Sequence, residues 1–184
     1  MFEHVANAWC LELTNSVPDR HVADRDWLAD AETACAWADS LGFELADPLP
    51  DAGRTALIDL RETIFAIFEA HVAGASVDQR ALHALTREHA RGLERHGYVA
   101  DGNAFRRDWP SAWDAPTLRA AFASSAVELL TDPRLDRVKQ CPGCGWLFVD
   151  TSRNRSRRWC SMEMCGGRDK ALRHYRRQRD QARG

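Results

Sequence analysis

The first 133 residues carry apolar side chains at the three- and four-residue spacing with which a helix buries one face. Two segments show this pattern most clearly. Asp30 precedes the first segment as a candidate N-cap, and Gly42 follows it. Asp51 and Gly74 bound the second segment in the same way. We predict two helices, whose buried faces hold Ala34, Trp37, Ala38 and Leu41 in the first, and Leu57, Leu60, Ile64, Ile67, Phe68 and Val72 in the second.

Two more helices are predicted from their start signals. Ser76 and Gln79 form a capping-box pattern ahead of a third helix. Asp114, followed by a proline two residues later, marks the start of a fourth helix, which ends near Pro133. The apolar positions are Leu82 and Leu85 in the third helix, and Leu118, Phe122, Ala126 and Leu129 or Leu130 in the fourth.

A β-hairpin interrupts this helical series. The helical period fails between Leu93 and Trp109, and residues 98–105 contain an Asp101-Gly102 dipeptide that is typical of a tight turn. We therefore predict an α+β, mainly helical chain. Residues 1–133 form a helical domain with a small hairpin, and residues 134–184 form a separate module.

Four cysteines dominate the C-terminal module, in the pattern C-x2-C-x15-C-x4-C. Two close pairs separated by a short loop are the spacing of a structural zinc site, which binds the ion at ~2.3 Å through thiolates. Four unrelated thiols are the alternative interpretation, and this spacing disfavours it. Because four thiolates fill a tetrahedral site, we expect the zinc to be structural rather than catalytic. The predicted ligands are Cys141, Cys144, Cys160 and Cys165.

Local composition suggests how the module is built around the ion. Residues 146–150 have the aromatic and β-branched content of a strand, and we expect residues 155–161 to return antiparallel to it. A helix follows the last cysteine. Knuckle, hairpin and helix around one zinc describe a treble-clef-like finger. A module this small has little core, so we expect zinc removal to unfold it while the helical domain stays folded.

The net charge of −2 conceals a strong asymmetry. Residues 134–184 hold 14 basic and 5 acidic residues, a net charge of +9, whereas residues 1–133 hold 11 basic and 22 acidic residues, a net charge of −11. A basic end next to a zinc site is typical of a module that binds a polyanion. Solvated charges that only confer solubility are the alternative.

The basic residues fall into a loop cluster and a helix cluster. Arginine suits both phosphate and the guanine base edge. On the last helix we expect a narrow apolar stripe of Ala171, Leu172 and Tyr175 to pack on the zinc site, leaving the basic face free. The candidate nucleic-acid contacts are Arg153, Arg155, Arg157 and Arg158 in the loop, and Arg168, Lys170, Arg173, Arg176 and Arg177 on the helix.

The remaining composition excludes several classes. With 45% apolar and 28% charged residues, the chain resembles a globular protein. It has no apolar stretch long enough for a membrane span and no signal-peptide pattern at its start, so we expect a cytoplasmic protein without a membrane partner. A reducing compartment favours metal ligation over disulfides, and the isolated Cys10 and Cys35 are expected in the core.

At these residues the chain resembles a known pair of domains. The run from Cys144 to Met162, followed by Cys165-Gly-Gly-Arg168, is similar to the CGNR zinc finger of bacterial proteins. Residues 11–16, Leu-Glu-Leu-Thr-Asn-Ser, followed by the helix that ends at Gly42, are similar to the ABATE domain that usually precedes that finger. The resemblance implies a stress-responsive transcriptional regulator that binds DNA, with the four cysteines as zinc ligands.

Two positions depart from the family pattern. Gly167 stands where the motif that names the finger has Asn, and Glu12 stands where an Asp is more usual. An Asn side chain at position 167 would be able to cap the last helix, and Gly167 has no side chain that could do so. The zinc ligands are unaffected.

Several alternatives remain from the sequence. The same basic surface would suit RNA, with Trp146, Trp159 or Tyr175 stacking on bases, or an acidic protein partner. We expect no enzyme, because phosphate-binding loops, nucleophile elbows and metal-binding His pairs are not found. The helical domain is a candidate for homodimerisation or for binding a small-molecule effector. Five tryptophans that would line such a pocket, or simply fill the core, are Trp9, Trp27, Trp37, Trp109 and Trp113.

Overall fold

The computed structural model of this chain describes residues 2–22 and 24–181, without the side chain of Asp180. The fold is mainly helical with two short antiparallel hairpins, which confirms the predicted fold class. The helices are α1 Trp9–Thr14, α2 Ala31–Ser40, α3 Asp51–Val72, α4 Gln79–Gly92, α5 Ala115–Thr131 and α6 Gly167–Gln181. The strands are β1 Gly97–Asp101, β2 Ala104–Asp108, β3 Val138–Gln140 and β4 Leu147–Val149.

The two helices predicted from apolar periodicity are confirmed as α2 and α3. The Asp30 carboxylate accepts a hydrogen bond from the Thr33 amide at 2.8 Å and so caps α2. Gly42 follows α2 with a φ of +86°, a backbone conformation that glycine adopts without strain. In α3 the N-cap is Pro50, and Asp51 is the first helical residue rather than the cap.

The predicted capping box of α4 is wrong. Asp78 is the N-cap instead, and its carboxylate accepts a hydrogen bond from the Arg80 amide at 2.8 Å. Asp and Ser are equally good caps, so the helix started at the candidate closer to its apolar face. The start of α5 is confirmed, because the Asp114 carboxylate accepts from the Thr117 amide at 2.8 Å.

The predicted hairpin is confirmed as β1 and β2. Asp101 pairs with Ala104, so the turn consists of Gly102 and Asn103, and Gly102 has a φ of +59°. Both strands are largely exposed. The hairpin therefore extends from the helices and contributes little to the core.

Helix α1 was not predicted, because six residues are too few to show a helical period. It is nevertheless central: residues Cys10–Thr14 are buried, and α1 packs against both α3 and α5. The same core includes Val138, Leu147 and Val149 from the β3–β4 hairpin. The C-terminal module and the helical part therefore share one hydrophobic core. The domain boundary after Pro133 stays a prediction.

A buried asparagine joins the two parts of the chain. Asn15, at the end of α1, is 1% exposed. Its amide nitrogen donates to the Leu147 carbonyl at 2.9 Å, and its amide oxygen accepts from the Leu147 N–H at 3.0 Å. The side chain therefore pairs with β4 as a neighbouring strand would. No helix in the described part of the chain has the length and apolarity that a bilayer crossing needs.

We predict that Asn15→Ala lowers the free energy of unfolding by about 2–4 kcal/mol, because the buried N–H and carbonyl of Leu147 lose their hydrogen-bond partner. Urea denaturation measures this change. Asn103→Ala, at the exposed turn between β1 and β2, is the matched control and should change stability by less than ~0.5 kcal/mol. Equal effects of the two substitutions would contradict the joining role of Asn15.

Candidate metal centre and basic surface

The first cysteine pair lies in the turn between β3 and β4. The Cys141 amide donates to the Trp146 carbonyl at 2.7 Å, and the Gly145 amide donates back to the Cys141 carbonyl at 2.9 Å. This tight turn requires glycine at Gly145, which has a φ of +75° and where a Cβ would lie only 2.7 Å from the Cβ of Arg20. The knuckle therefore places two sulfurs on one side of the hairpin.

The second pair lies at the start of the last helix. Cys160 ends the irregular loop that follows β4, and Cys165 lies in a single wide turn, Met162–Gly166, which runs directly into α6. The Ser161 hydroxyl accepts a hydrogen bond from the Met164 amide at 3.3 Å and so caps this turn. The predicted location of the second pair, where the last helix begins, is confirmed.

The four sulfurs converge on one point. Their ligand atoms all lie within 4.8 Å of one another, and the Cys144–Cys160 and Cys160–Cys165 sulfur distances are 3.5 and 3.6 Å. A tetrahedral ion at ~2.3 Å from each sulfur requires sulfur separations of ~3.8 Å. All four cysteines are at most 4% exposed. The cluster therefore has the dimensions and the burial of a four-thiolate zinc site.

The electrostatics of the cluster also favour a cation. Hydrogen bonding to Cys141 raises the pKa of the Cys144 thiol, and burial raises the pKa of Cys165. Both shifts make it costly to ionise these two thiols in the absence of a cation. A divalent cation offsets that cost and binds the deprotonated sulfurs.

The loop between the pairs is irregular, so the predicted return strand over 155–161 is wrong. Strand β4 pairs with β3 instead, with Val138 opposite Val149. The buried Asp150 carboxylate organises the loop: it accepts from Lys139 at 2.7 Å and from the amides of Ser152 and Arg157 at 2.9 Å. Because these loop amides donate to one carboxylate, they are not available for the backbone hydrogen bonds of a β-strand.

Sequence reasoning did not identify Lys139 and Asp150 as a pair. Burial would raise the pKa of Asp150, but the hydrogen bonds from Lys139, Ser152 and Arg157 hold it well below its usual range. Lys139 also donates to the carbonyls of Arg155 and Arg157, at 2.6 and 3.0 Å. The sequence does contain one signal for a buried carboxylate, since Asp150 directly follows the apolar run Leu147–Val149.

Arg157 is held inside the module, unlike the other loop arginines. Its guanidinium donates to the Trp159 carbonyl at 3.0 Å and to the Val5 carbonyl at 3.1 Å, and it also bonds to the Cys160 carbonyl. It lies 4.6 Å from the centre of the Phe148 ring. With its donors occupied in this way, we assign Arg157 a structural role and omit it from the proposed contacts.

The other eight candidate contacts are exposed, and we call them the basic surface. Arg168 lies 3.8 Å from the Asp19 carboxylate, and Arg173 pairs with Asp169 at 2.9 Å. Both pairs are exposed enough for a phosphate to compete with the carboxylate. The basic surface consists of Arg153, Arg155, Arg158, Arg168, Lys170, Arg173, Arg176 and Arg177.

The apolar stripe of α6 does not pack on the metal cluster, contrary to expectation. Leu172 is 50% exposed and Tyr175 is 63% exposed, and every described residue of α6 after Asp169 is exposed.

Gly167 starts this helix with an ordinary helical φ of −62°, and a Cβ there would lie 3.6 Å from the nearest atom, so nothing in the structure explains the glycine.

The aromatic candidates do not form one binding site. Trp146 is buried and donates its indole N–H to the Val17 carbonyl at 2.6 Å, so it is not available to stack on a base. Trp37 and Trp113 are core residues, which supports the core interpretation for them. Trp9 and Trp27 line two different cavities, so the five tryptophans do not form one pocket.

Two family descriptions match the chain. Residues 7–133 match ABATE, "Putative stress-induced transcription regulator", and residues 137–178 match the CGNR zinc finger. The order of the two matches is the order that the sequence resemblance implied. A comparison with curated proteins finds no match to this chain.

We predict that the purified protein binds one equivalent of zinc, and that chelation removes protection from amide exchange beyond the module itself. The N-terminal residues 5–20 should lose protection as well, because the Arg20 amide donates to the Cys144 carbonyl and the Val149 amide donates to the Ala6 carbonyl. Hydrogen–deuterium exchange with mass spectrometry measures this.

Two cysteine variants test the ligand assignment directly. Cys165→Ser should lose bound zinc, measured by elemental mass spectrometry, whereas Cys35→Ser, which changes a thiol outside the cluster, should retain one equivalent. Unchanged exchange of residues 5–20 after chelation would show that the helical part is independent of the metal.

We further predict that Arg157→Ala destabilises the protein by about 1–3 kcal/mol, because it leaves three part-buried carbonyls without this donor. Arg158→Ala, at the exposed neighbouring position, is the matched control and should change stability by less than ~0.5 kcal/mol. Thermal unfolding of the zinc-loaded proteins measures both. Equal melting temperatures would return Arg157 to the set of candidate contacts.

Proposed function

Because the chain belongs to the ABATE family, described as a putative stress-induced transcription regulator, and ends in a CGNR zinc finger, we propose that it is a zinc-dependent regulator that binds duplex DNA. The basic surface makes the contacts. The four-cysteine zinc site is structural and sets the position of that surface. The protein acts in the cytoplasm.

The observation that carries the proposal is the exposure of α6. This helix has 15 residues, which corresponds to a length of about 22 Å, and it packs mainly against the turn that holds Cys165. Five members of the basic surface lie on it. A charged helix anchored at one end and free along its length has the shape that fits the major groove, which is ~12 Å wide.

The loop supplies a second group of contacts. Arg153, Arg155 and Arg158 project from the segment that Asp150 and Lys139 hold in place, and Arg158 lies 4.7 Å from the centre of the Trp159 ring. A fixed loop loses little conformational freedom when it binds. Cys160 ends the loop and Cys165 leads into α6, so a zinc ion bound by both cysteines would hold the loop arginines and the helix arginines in a constant relative position. Both clusters could then contact the same polyanion.

RNA is the second candidate, and one observation favours it. Tyr175 is exposed among the arginines of α6, where its ring is free to stack on an unpaired base. Binding to an acidic protein is the third candidate, using the same surface without preference among DNA sequences. Direct competition between duplex DNA and single-stranded RNA of the same sequence distinguishes the first two.

The proposal is tested with a double substitution in the basic surface. Arg158→Gln combined with Arg176→Gln should weaken duplex binding about tenfold or more and reduce the slope of log K against log salt by about 2, because two phosphate contacts are lost. Fluorescence anisotropy at several salt concentrations measures both quantities on the zinc-loaded protein.

The matched control removes the same charge from elsewhere. Arg80→Gln combined with Arg87→Gln changes two exposed arginines of α4 and should leave affinity and salt slope unchanged. If both double variants weaken binding equally, the interaction is with net charge and not with the basic surface. Selection from random duplexes then tests specificity, and failure to enrich any sequence would overturn the regulator proposal.

A further inference from the structure

A cavity of about 460 Å³ opens on the helical part of the protein, and none of its lining residues belongs to the basic surface. Its walls combine apolar groups, among them Trp9, Leu41 and Ala121, with six polar or charged side chains. Trp9 is 40% exposed and packs edge-on against Phe43, with 5.0 Å between ring centres. A cavity in which apolar and aromatic walls are combined with polar groups that orient a ligand is a usual form of a small-molecule site.

One of the polar groups is a buried carboxylate. The Glu12 side chain is 8% exposed, although it lines the cavity. Its Oε1 accepts a hydrogen bond from the Ala6 amide at 2.7 Å, the Asn7 amide also hydrogen-bonds to the carboxylate, and the His4 ring lies 3.6 Å from Oε2. These two backbone donors do not offset the burial, because the pKa of Glu12 is still raised, so the ionised carboxylate is costly to keep in this wall.

The charges around Glu12 do not neutralise it. Across the cavity Arg107 is paired with Glu128, so it is already compensated. Burial lowers the pKa of His4, which keeps its ring neutral at neutral pH. Arg157 acts on Glu12 only from outside the cavity, and burial raises the pKa of Glu12 to about 7. The cavity therefore carries one uncompensated negative charge whenever Glu12 is ionised.

We propose that this cavity binds a small organic ammonium ion, whose charged group pairs with Glu12 Oε2 and whose apolar part lies against Trp9 and Leu41. An ammonium group supplies a positive charge and further donors to the carboxylate, and an aromatic face next to it adds a cation–π contact. A carboxylate or phosphate ligand would face the uncompensated charge of Glu12 and is disfavoured.

The site is also connected to the zinc module. Glu12 holds the Ala6 amide, and the Ala6 carbonyl accepts from the Val149 amide of β4 at 2.9 Å. The neighbouring Asn7 has a φ of +62° and donates its side-chain amide to the Val149 carbonyl at 3.1 Å. A ligand on Glu12 therefore acts on the turn that joins the helical part to β4.

The test titrates the zinc-loaded full-length protein with benzylammonium chloride and, separately, with its neutral isostere benzyl alcohol. Amide chemical shifts of Ala6, Asn7 and Glu12 report binding at this site. We expect saturable shifts with benzylammonium at pH 8 and at least tenfold weaker binding of the alcohol. At pH 6 benzylammonium should bind about tenfold more weakly, because Glu12 is then mostly protonated and cannot pair with the cation.

Glu12→Gln removes the charge at nearly constant shape and should abolish the preference for the ammonium over the alcohol. Glu88→Gln is the matched control, since it changes a glutamate that lines a different cavity, and it should leave binding unchanged. If Glu12→Gln does not fold, the pH dependence and the alcohol comparison in the unsubstituted protein still decide the proposal. Equal binding of the two probes, or shifts confined to other residues, would overturn it. The readout does not involve DNA, so its outcome is independent of the proposed function.

Discussion

The contact on which the rest of the structure depends is the docking of the N-terminal segment against β4. Asn15 pairs with both backbone groups of Leu147, the Ala6 carbonyl accepts from the Val149 amide, and the Val5 carbonyl accepts from Arg157. These bonds are largely buried, so each would leave an unsatisfied polar group if it were broken. They make two sequence-distant segments one core.

This docking changes the role of the metal. A finger attached by a linker would need its ion only for its own fold. In this chain the hairpin that carries Cys141 and Cys144 also contributes Leu147 and Val149 to the helical core. A metal ion bound by the four sulfurs would therefore hold the loop and α6 in position relative to the whole protein. The positions of the arginines are consequences of that fixed frame.

The arginines of the module differ in their surroundings, although they look alike in the sequence. Arg157 donates to backbone carbonyls and lies over Phe148, whereas Arg153 and Arg158 face solvent. Arginine suits both roles because its planar fork satisfies several acceptors at once and also pairs with phosphate. The density of charge in the sequence does not separate Arg157 from the exposed arginines. The difference arises only on folding, which brings backbone carbonyls within hydrogen-bond distance of the Arg157 guanidinium.

Local signals in the sequence determined the features that depend on neighbouring residues: the caps at Asp30 and Asp114, the turn at Gly102, and the cysteine spacing that brings four sulfurs together. Tertiary structure alone decided the pairing of β4 with β3, the exposure of α6 and the burial of Glu12 in a cavity wall. Caps, turns and close cysteine pairs are set by interactions within a few residues. Strand partners, free helix faces and cavities depend on segments far apart in the chain, which no local pattern encodes.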